Sequence, residues 1–301
     1  MEIALKLEEI VKTYGKYRAV NGVSFQIEKG CIFGLLGPNG AGKTSIIRMI
    51  TGITGVDTGR IFLDGEPLNG RHPTNIGYMP EERGLYKKMK VGEHLLYLAR
   101  LKGLGKKEAE MEIGQWLEKF NISDWQQKKV EELSKGMQQK IQFISTVVHR
   151  PKLLILDEPF SGLDPINTQL IQSEILALKE QGASIIFSTH RMEQVEEICE
   201  HIVLINKGHN ILEGRVGDIK QRFKEHLFSV AYEGSLPERL RNELSIVAQK
   251  DQSIVLKSNN ETGNGLLRLL MDHGLSIVAF QEILPSLSEI FIRQVKNMEA
   301  A

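Results

Sequence analysis

The chain has 301 residues, 41% of them hydrophobic, which is enough for one large domain and one smaller domain with packed cores. Lysine plus arginine and aspartate plus glutamate each number 38, so the chain lacks the overall basic excess of proteins that bind nucleic acid or anionic membranes. Cysteine occurs only at Cys31 and Cys199, which predicts two reduced core residues and no disulfide framework.

The first residues predict where the protein works. The stretch "MEIALKLEEI" carries acidic residues where a secretory signal has a basic start and a longer apolar run. No apolar run approaches the roughly eighteen residues that a membrane-spanning helix needs. We therefore expect a cytoplasmic protein, which would work at a membrane only if another chain holds it there.

The first 220 residues alternate between short apolar runs and amphipathic stretches. The runs "CIFGLL", "LLIL", "ASIIFS" and "HIVLI" are typical of strands buried on both faces of a parallel sheet. Apolar spacing near 3.6 predicts helices over "SIIRMITGI", "GEHLLYLARLKGL", "KKEAEMEIGQWLEKF", "MQQKIQFISTVVHR" and "RMEQVEEICEHI". The turn-rich stretches "FQIEKG" and "RIFLDGEPL" predict a small antiparallel layer beside the main sheet. The body of the protein is therefore predicted to be α/β.

A different pattern begins near residue 221. The order strand, helix, strand, strand, helix, strand, helix resembles a split βαβ unit, which predicts a small α+β domain over residues 221–301. This part contains no phosphate-binding motif, no paired acids at a strand end and no cysteine or histidine cluster. We expect it to serve regulation or dimerisation.

The strongest motif is "GPNGAGKTS", which matches G-x-x-x-x-G-K-[ST] between an apolar strand and a helix. Backbone N–H groups at such a turn can surround polyphosphate oxygens, while Lys43 reaches the terminal phosphates and Thr44 offers its hydroxyl to Mg²⁺. The alternative is a glycine-rich turn that only caps a helix. The candidate nucleotide-binding residues of this loop are Gly37, Pro38, Asn39, Gly40, Ala41, Gly42, Lys43, Thr44 and Ser45.

Three further candidates follow strands that end at the same sheet edge. In "LLILDEP", Asp157 suits a Mg²⁺ shell, and Glu158 leaves the strand in another direction and could accept a proton from an attacking water. His190 ends "GASIIFSTH" and could contact the γ-phosphate or that water. A solvated loop for the acids and a helix cap for the histidine are the ordinary alternatives.

The stretch "LSKGMQQK" predicts a second anion-binding helix N-terminus, at Ser134 and Gly136. Met137 stands where a capping box would place an acid, so we expect the N–H donors of this turn to be unclaimed. They could serve a nucleotide held by the first loop only if a second copy of the chain, arranged head to tail, brings them to its γ-phosphate.

The motifs "GPNGAGKT", "LSKGMQQK", "LLILDEP", "SGLD" and "STH", in this order, resemble the ATP-binding subunit of ABC transporters over residues 1 to about 220. The resemblance implies a P-loop NTPase of ABC type, with a mainly parallel sheet, an antiparallel β-layer and a helical subdomain. It implies ATP and Mg²⁺ as ligands, ATP hydrolysis, and a head-to-tail dimer in which the signature turn completes the opposite subunit's site. It also implies separate membrane-spanning permease subunits as partners, on the inner face of the cell membrane.

Further site residues are carried over from the family by position. Tyr14 matches the aromatic residue that stacks on adenine, with Tyr17 as a nearby alternative. Asp164, in "SGLDP", matches the loop that crosses the dimer interface, and it is also suited to cap the following helix.

Two motifs depart from the family pattern, at three residues. Glu81 stands where the family generally has a glutamine that senses Mg²⁺ and the membrane partner; a carboxylate can still bind the metal but cannot donate an amide hydrogen bond. Lys135 and Met137 interrupt the usual Leu-Ser-Gly-Gly-Gln signature. Lys135 could attract nucleotide or could simply be exposed.

The segment "MPEERGLYKKM" and the C-terminal extension together resemble the bacterial sodium- or drug-export branch of these ATPases. We therefore expect an ATPase that energises export through membrane subunits. The alternatives are a soluble ABC ATPase acting on ribosomes or DNA and a regulatory protein that binds ATP without turnover. The sequence does not distinguish a homodimer from a heterodimer.

Overall fold

The computed structural model describes residues 2–69, 72–258 and 263–300, and it divides into two compact units, Met1–Val216 and Gly217–Ala301. Each unit has a hydrophobic core of its own. Among the described residues, none of the helices combines the length and the apolar character that a membrane crossing would require.

The centre of the first unit is a six-stranded sheet. Its strands are β3 (Ile32–Leu36), β6 (Ile76–Met79), β7 (Leu153–Asp157), β8 (Ser184–Ser188), β9 (His201–Asn206) and β10 (His209–Arg215), in the order β10-β9-β3-β8-β7-β6. All neighbouring pairs are parallel except β10 with β9. Strands β3, β7 and β8 are buried at every residue, as their continuous apolar runs predict.

A four-stranded antiparallel sheet packs onto the same core. It contains β1 (Ile3–Tyr14), β2 (Tyr17–Glu28), β4 (Thr58–Leu63) and β5 (Glu66–Pro67), in the order β2-β1-β4-β5. Side chains of both sheets meet in one apolar cluster, with Phe25 of β2 stacked on Phe33 of β3. This sheet is the antiparallel layer that the sequence predicts.

Helices connect the strands of the first unit. They are α1 (Lys43–Ile50), α2 (Val91–Leu101), α3 (Lys106–Lys119), α4 (Lys135–Val147), α5 (Pro165–Glu180) and α6 (Met192–Ile198). Helix α2 packs against α3 and α4, and Trp116, Phe120 and Phe143 form an aromatic group between α3 and α4. These helices correspond to the helical subdomain that the resemblance implies.

The second unit is an antiparallel sheet with helices. Helix α7 (Val216–Arg222) leads into β11 (Leu227–Glu233), α8 (Glu238–Glu243), β12 (Ser245–Lys250), β13 (Ser253–Lys257), α9 (Gly263–Asp272), β14 (Ser276–Ile283) and α10 (Leu287–Ala300). The sheet order is β12-β13-β11-β14. The predicted order of elements is found here, and the fold class of both units is as predicted.

The structure also differs from the sequence prediction in several elements. Strands β6 and β10 were not foreseen, because β6 is only 4 residues long and β10 is a partly exposed edge strand. Only the cap of α5 at Asp164 was foreseen, because the helix itself has a weak apolar face. Helix α6 ends at Ile198, earlier than predicted, since the amide of Glu200 already donates to the carbonyl of Ile32 in the sheet. Cys31 and Cys199 are buried free thiols, as predicted.

Candidate functional site

The glycine-rich loop joins β3 to α1 in a conformation that only glycine accommodates at two positions. Gly37 has φ +148°, and a Cβ there would lie 2.1 Å from the carbonyl oxygen of Ile205. Gly42 has φ +111°, and a Cβ there would lie 2.4 Å from the carbonyl oxygen of Ala19. Gly42 is also the N-cap of α1, and no side chain caps the first turn of that helix or places an acid in it. The turn therefore offers backbone N–H groups to an anion.

Lys43 is held inside this loop. Its Nζ donates to the carbonyl oxygens of Gly37 at 2.7 Å and Pro38 at 3.1 Å. Burial lowers the pKa of Lys43, and the carboxylates of Asp157, Glu158 and Glu81 oppose that shift. The ammonium is thus a partly buried cation beside three acids, which is a suitable environment for a bound polyphosphate with a cation.

Asp157 is the last residue of β7 and is buried. Its Oδ1 accepts a hydrogen bond of 2.7 Å from the hydroxyl of Ser188, its partner in the register of β7 with β8. Burial raises the pKa of Asp157, and the neighbouring carboxylates of Glu81 and Glu158 raise it further, whereas Ser188 and Lys43 lower it. A carboxylate crowded by two others is stabilised most directly by a cation.

Glu158 and His190 are in direct contact. Oε1 of Glu158 accepts from the backbone N–H of His190 at 2.8 Å and lies 2.7 Å from its Nδ1, while Oε2 accepts from the hydroxyl of Thr189 at 3.1 Å. Glu158 has φ +52°, an uncommon conformation for a residue with a side chain, so its backbone turns sharply after Asp157. The two adjacent acids therefore have separate partners on β8 and the loop after it.

One cleft of about 400 Å³ brings most of the predicted residues together. It is lined by Tyr14, Tyr17, Ala19, Asn39, Gly40, Ala41, Gly42, Lys43, Thr44, Ser45, Glu81, Asp157, Glu158 and His190. Both tyrosines are exposed in it, and the hydroxyl of Tyr17 donates to the carbonyl oxygen of Gly40 at 3.2 Å. Of the two candidates for a stacking aromatic residue, only Tyr17 contacts the loop by a hydrogen bond in the described structure.

The cleft has a donor set that fits Mg²⁺. Thr44 supplies a hydroxyl, and Asp157 and Glu81 supply carboxylates, which are the hard oxygen ligands that this ion prefers. Glu81 reaches the cleft because it follows β6, the sheet's edge strand, by two residues. With three acids facing one lysine, the cleft carries an excess of negative charge that a divalent cation would compensate.

The signature turn before α4 lies elsewhere. Among the residues that the structure describes, the lining of the cleft includes neither Ser134 nor Gly136. The expectation that the donors of this turn are unclaimed is wrong in one respect: Ser134 is the N-cap of α4, and its hydroxyl accepts from the amide of Met137 at 3.3 Å. An acid at the third position is not needed when the serine itself caps the turn.

Asp164 also lies outside the lining of the cleft, at the N-cap of α5. Its Oδ1 accepts from the amide of Asn167 at 2.9 Å, and this bond together with that from the Asn167 side chain lowers the pKa of Asp164. A Cβ built on Gly136 would lie 3.6 Å from the carbonyl oxygen of Gly162. The "SGLD" loop and the signature turn are therefore neighbours on one surface of the chain.

Sequence reasoning missed two residues of the site. Ser188 and Thr189 were quoted only as part of "STH", yet their hydroxyls hold Asp157 and Glu158 respectively. Both are fully buried. The available signal was the position of two hydroxyl residues at the end of a strand predicted to reach the same sheet edge as the one that carries the acids.

Comparisons with known proteins agree with this geometry. Residues 20–161 match the family model "ABC transporter", and residues 214–295 match "ATP-binding protein DrrA1-3-like, C-terminal domain". The chain is 47% identical to the uncharacterized ABC transporter ATP-binding protein YhaQ of Bacillus subtilis (strain 168), over 97% of this chain and 98% of that one. It is 37% identical to the linearmycin resistance ATP-binding protein LnrL of the same organism, over 72% and 71%.

A solved structure described as the ATP-binding subunit of an ABC transporter superposes with a TM-score of 0.69 at 30% identity, covering 73% of this chain and 93% of the other. The family that the ordered motifs suggested is thereby confirmed, and so is the fold. The chain belongs to the ATP-binding proteins of ABC transporters.

Proposed function

We propose that this protein binds and hydrolyses ATP with Mg²⁺ and so energises an ABC exporter through separate membrane subunits. The observation that carries the proposal is the position of Glu158, whose carboxylate lines the same cleft as the phosphate-binding loop. Asp157 is held by Ser188 and is a candidate ligand of the cation, whereas Glu158 is held by Thr189 and His190, so the two acids can serve different roles. The proposal therefore goes beyond nucleotide binding to turnover.

In this mechanism the residues of the cleft have distinct roles. The amides of the glycine-rich loop and Lys43 bind the phosphates, and Tyr14 or Tyr17 contacts the base. Thr44, Asp157 and Glu81 would hold Mg²⁺, which when bound neutralises charge on the phosphates. Glu158 accepts the proton of the attacking water, and His190, 2.7 Å from it, orients that carboxylate and contacts the γ-phosphate.

The proposed active assembly is a head-to-tail dimer. Ser134 and Gly136 would then bind the γ-phosphate held by the other chain, and Asp164 would lie at the interface. Support comes from the placement of this signature turn away from the cleft of its own chain and beside the "SGLD" loop. Each chain would contribute half of each of two sites.

We further propose where the permease subunit contacts this chain, on the inner face of the membrane. An apolar groove of about 280 Å³ is lined in part by Ile53, Ile76, Tyr78 and Leu101, and both Ile53 and Leu101 are 60% exposed. Ile76 and Tyr78 belong to β6, which leads to Glu81 in the ATP cleft. A partner in this groove would therefore bear on a strand that ends near the nucleotide.

The groove assignment can be tested by placing a charge in it. We expect Leu101→Asp to abolish co-purification with the membrane subunit while the isolated chain keeps its ATPase activity, because Leu101 is exposed and distant in sequence from the site. Met111→Asp, at an exposed residue of α3, is the matched control and should co-purify normally. Normal co-purification of Leu101→Asp would show that the permease subunit does not bind in this groove.

We propose the class of exported substrate from the name of a similar protein. The relative LnrL is named for linearmycin resistance, which suggests export of drugs or similar compounds here, and the sequence resemblance extends this to sodium ions. Identification of the permease that co-purifies with the chain from membranes would test this assignment. A partner from an import system would contradict it.

Hydrolysis is tested by Glu158→Gln. We expect turnover to fall by about 10²- to 10⁴-fold, since the amide cannot accept the proton, while ATP affinity stays near that of the wild type. The control is Glu82→Gln, an exposed acid outside the lining of the cleft. Steady-state phosphate release and equilibrium ATP binding measure the two effects, and near-normal turnover of Glu158→Gln would show that Glu158 is not the base.

A further inference from the structure

Three residues with metal-binding side chains meet at the amino-terminal ends of two strands of the six-stranded sheet, away from the ends that carry Asp157 and His190. Cys31 precedes β3, and Glu200 and His201 stand at the start of β9, which pairs with β3 in parallel. A ligand atom from each of the three lies within 4.8 Å of the others. In the part of the chain that the structure describes, this is the one group of three or more such residues that the geometry singles out.

The composition of this group favours zinc. Thiolate, imidazole and carboxylate are the three ligand types that Zn²⁺ takes, at about 2.3, 2.0 and 2.1 Å respectively. In a tetrahedral site these bond lengths separate the ligand atoms by roughly 3.3–3.8 Å, so only small side-chain movements are needed from the observed spacing. Mg²⁺ and Ca²⁺, which prefer oxygen ligands alone, fit this set poorly.

One imidazole nitrogen of the group lacks a hydrogen-bond partner. Nδ1 of His201 is buried and has no hydrogen-bond partner. A buried polar atom without a partner is unfavourable. A zinc ion bound at this nitrogen would satisfy it.

Nearby charges both favour and oppose the binding of a cation to this group. Burial, together with the carboxylate of Glu200, raises the pKa of the Cys31 thiol to about 11, which opposes loss of the thiol proton, whereas a cation would be attracted to that carboxylate. Lys179 of α5 forms an ion pair with Glu200, so it competes with any metal for that carboxylate. Cys31 is buried, His201 is half-buried and Glu200 is exposed, which leaves the group open to solvent on one side.

We propose that Cys31, Glu200 and His201 bind one Zn²⁺ ion, with solvent as the fourth ligand. The ion would replace the proton of the Cys31 thiol and the contact of Lys179 with Glu200. Strand β3 separates this position from the glycine-rich loop by 5 residues, or about 16 Å. The proposed site is therefore distinct from the ATP cleft, and it does not depend on the function proposed above.

Titration of Zn²⁺ into the full chain tests the proposal, using chelator-treated protein without a histidine tag and without nucleotide. We expect one ion per chain, with affinity at least tenfold weaker in Cys31→Ser and in His201→Gln. Cys199→Ser is the matched control, because Cys199 is also a buried thiol but lies outside the group, and it should bind as the wild type does. Lys179→Met should bind more tightly, since the competing cation is gone.

Co²⁺ provides a second readout that depends on the thiol. A thiolate-to-cobalt charge-transfer band should appear in the wild type and in Cys199→Ser and be absent in Cys31→Ser. The proposal is overturned if the wild type binds no Zn²⁺ stoichiometrically, or if Cys31→Ser and His201→Gln both bind as the wild type does. Those two variants could fail to fold. In that case the proposal is overturned if Lys179→Met binds Zn²⁺ as the wild type does and the wild type shows no charge-transfer band with Co²⁺.

Discussion

Helices α1 and α4 both begin with a turn suited to anions, but the two turns are built differently. The N-cap of α1 is Gly42 in a left-handed conformation, with no side-chain cap, a partly buried lysine and three acids nearby. The N-cap of α4 is Ser134, whose hydroxyl already accepts from an amide of the turn. The first turn lies in a cleft with cation ligands and a candidate base, and the second lies outside it.

The difference indicates that the two turns cannot both bind the phosphates of one nucleotide within a single chain. The turn at α1 has uncapped backbone N–H groups, Lys43 and nearby acids, a set that fits a polyphosphate and its cation. The turn at α4 has a helix N-terminus and a hydroxyl, but it lies outside the cleft that Glu81 and Asp157 line. We infer that it acts on a nucleotide bound elsewhere, which is the reason for the proposed dimer.

We expect the largest difference between the two turns when the lysine of each is replaced and ATP affinity is measured. Lys43→Ala should weaken ATP binding to the isolated chain by about 10- to 100-fold, because charge-assisted hydrogen bonds to phosphate contribute about 1.5–3 kcal/mol. Lys135→Ala removes the exposed lysine at the first position of α4 and should change that affinity little. Equilibrium binding of a fluorescent ATP analogue measures both, and equal losses would erase the proposed contrast between the turns.

A smaller effect is expected from the cap of the second turn. Ser134→Ala should lower the free energy of unfolding by about 0.5–1 kcal/mol, since the hydroxyl's bond to Met137 is lost and is long at 3.3 Å. Ser134→Asn keeps a capping group and should restore most of the loss. Denaturant unfolding measures the change, and a wild-type value for Ser134→Ala would mean that the serine does not cap α4 in solution.

Local features of the site could be predicted from the sequence. The glycine-rich loop is one continuous segment, so the positions of Gly37, Gly42 and Lys43 follow from their spacing between a strand and a helix. The alternation of apolar runs likewise predicted that Asp157 and His190 end strands at one sheet edge. These inferences need only the periodicity of strands and helices and the direction of a parallel sheet.

Contacts between distant segments could not be predicted in the same way. The bonds of Glu158 to Thr189 and His190 depend on the pairing of β7 with β8 and on an unusual backbone conformation at Glu158, neither of which the sequence displays. The cap at Ser134 was missed because only an acid three residues later was considered. The meeting of Cys31 with His201 likewise requires the pairing of β3 with β9.

The central claim, that two chains share each ATP site, is tested most directly in purified tagged heterodimers carrying Lys43→Ala and Ser134→Arg. With one change in each chain, a head-to-tail arrangement leaves one site intact; with both changes in one chain, each site has one defect. We predict that the first preparation occludes one ATP and hydrolyses faster than the second. The reverse order, in both occlusion and turnover, would contradict the shared sites and the role proposed for the signature turn.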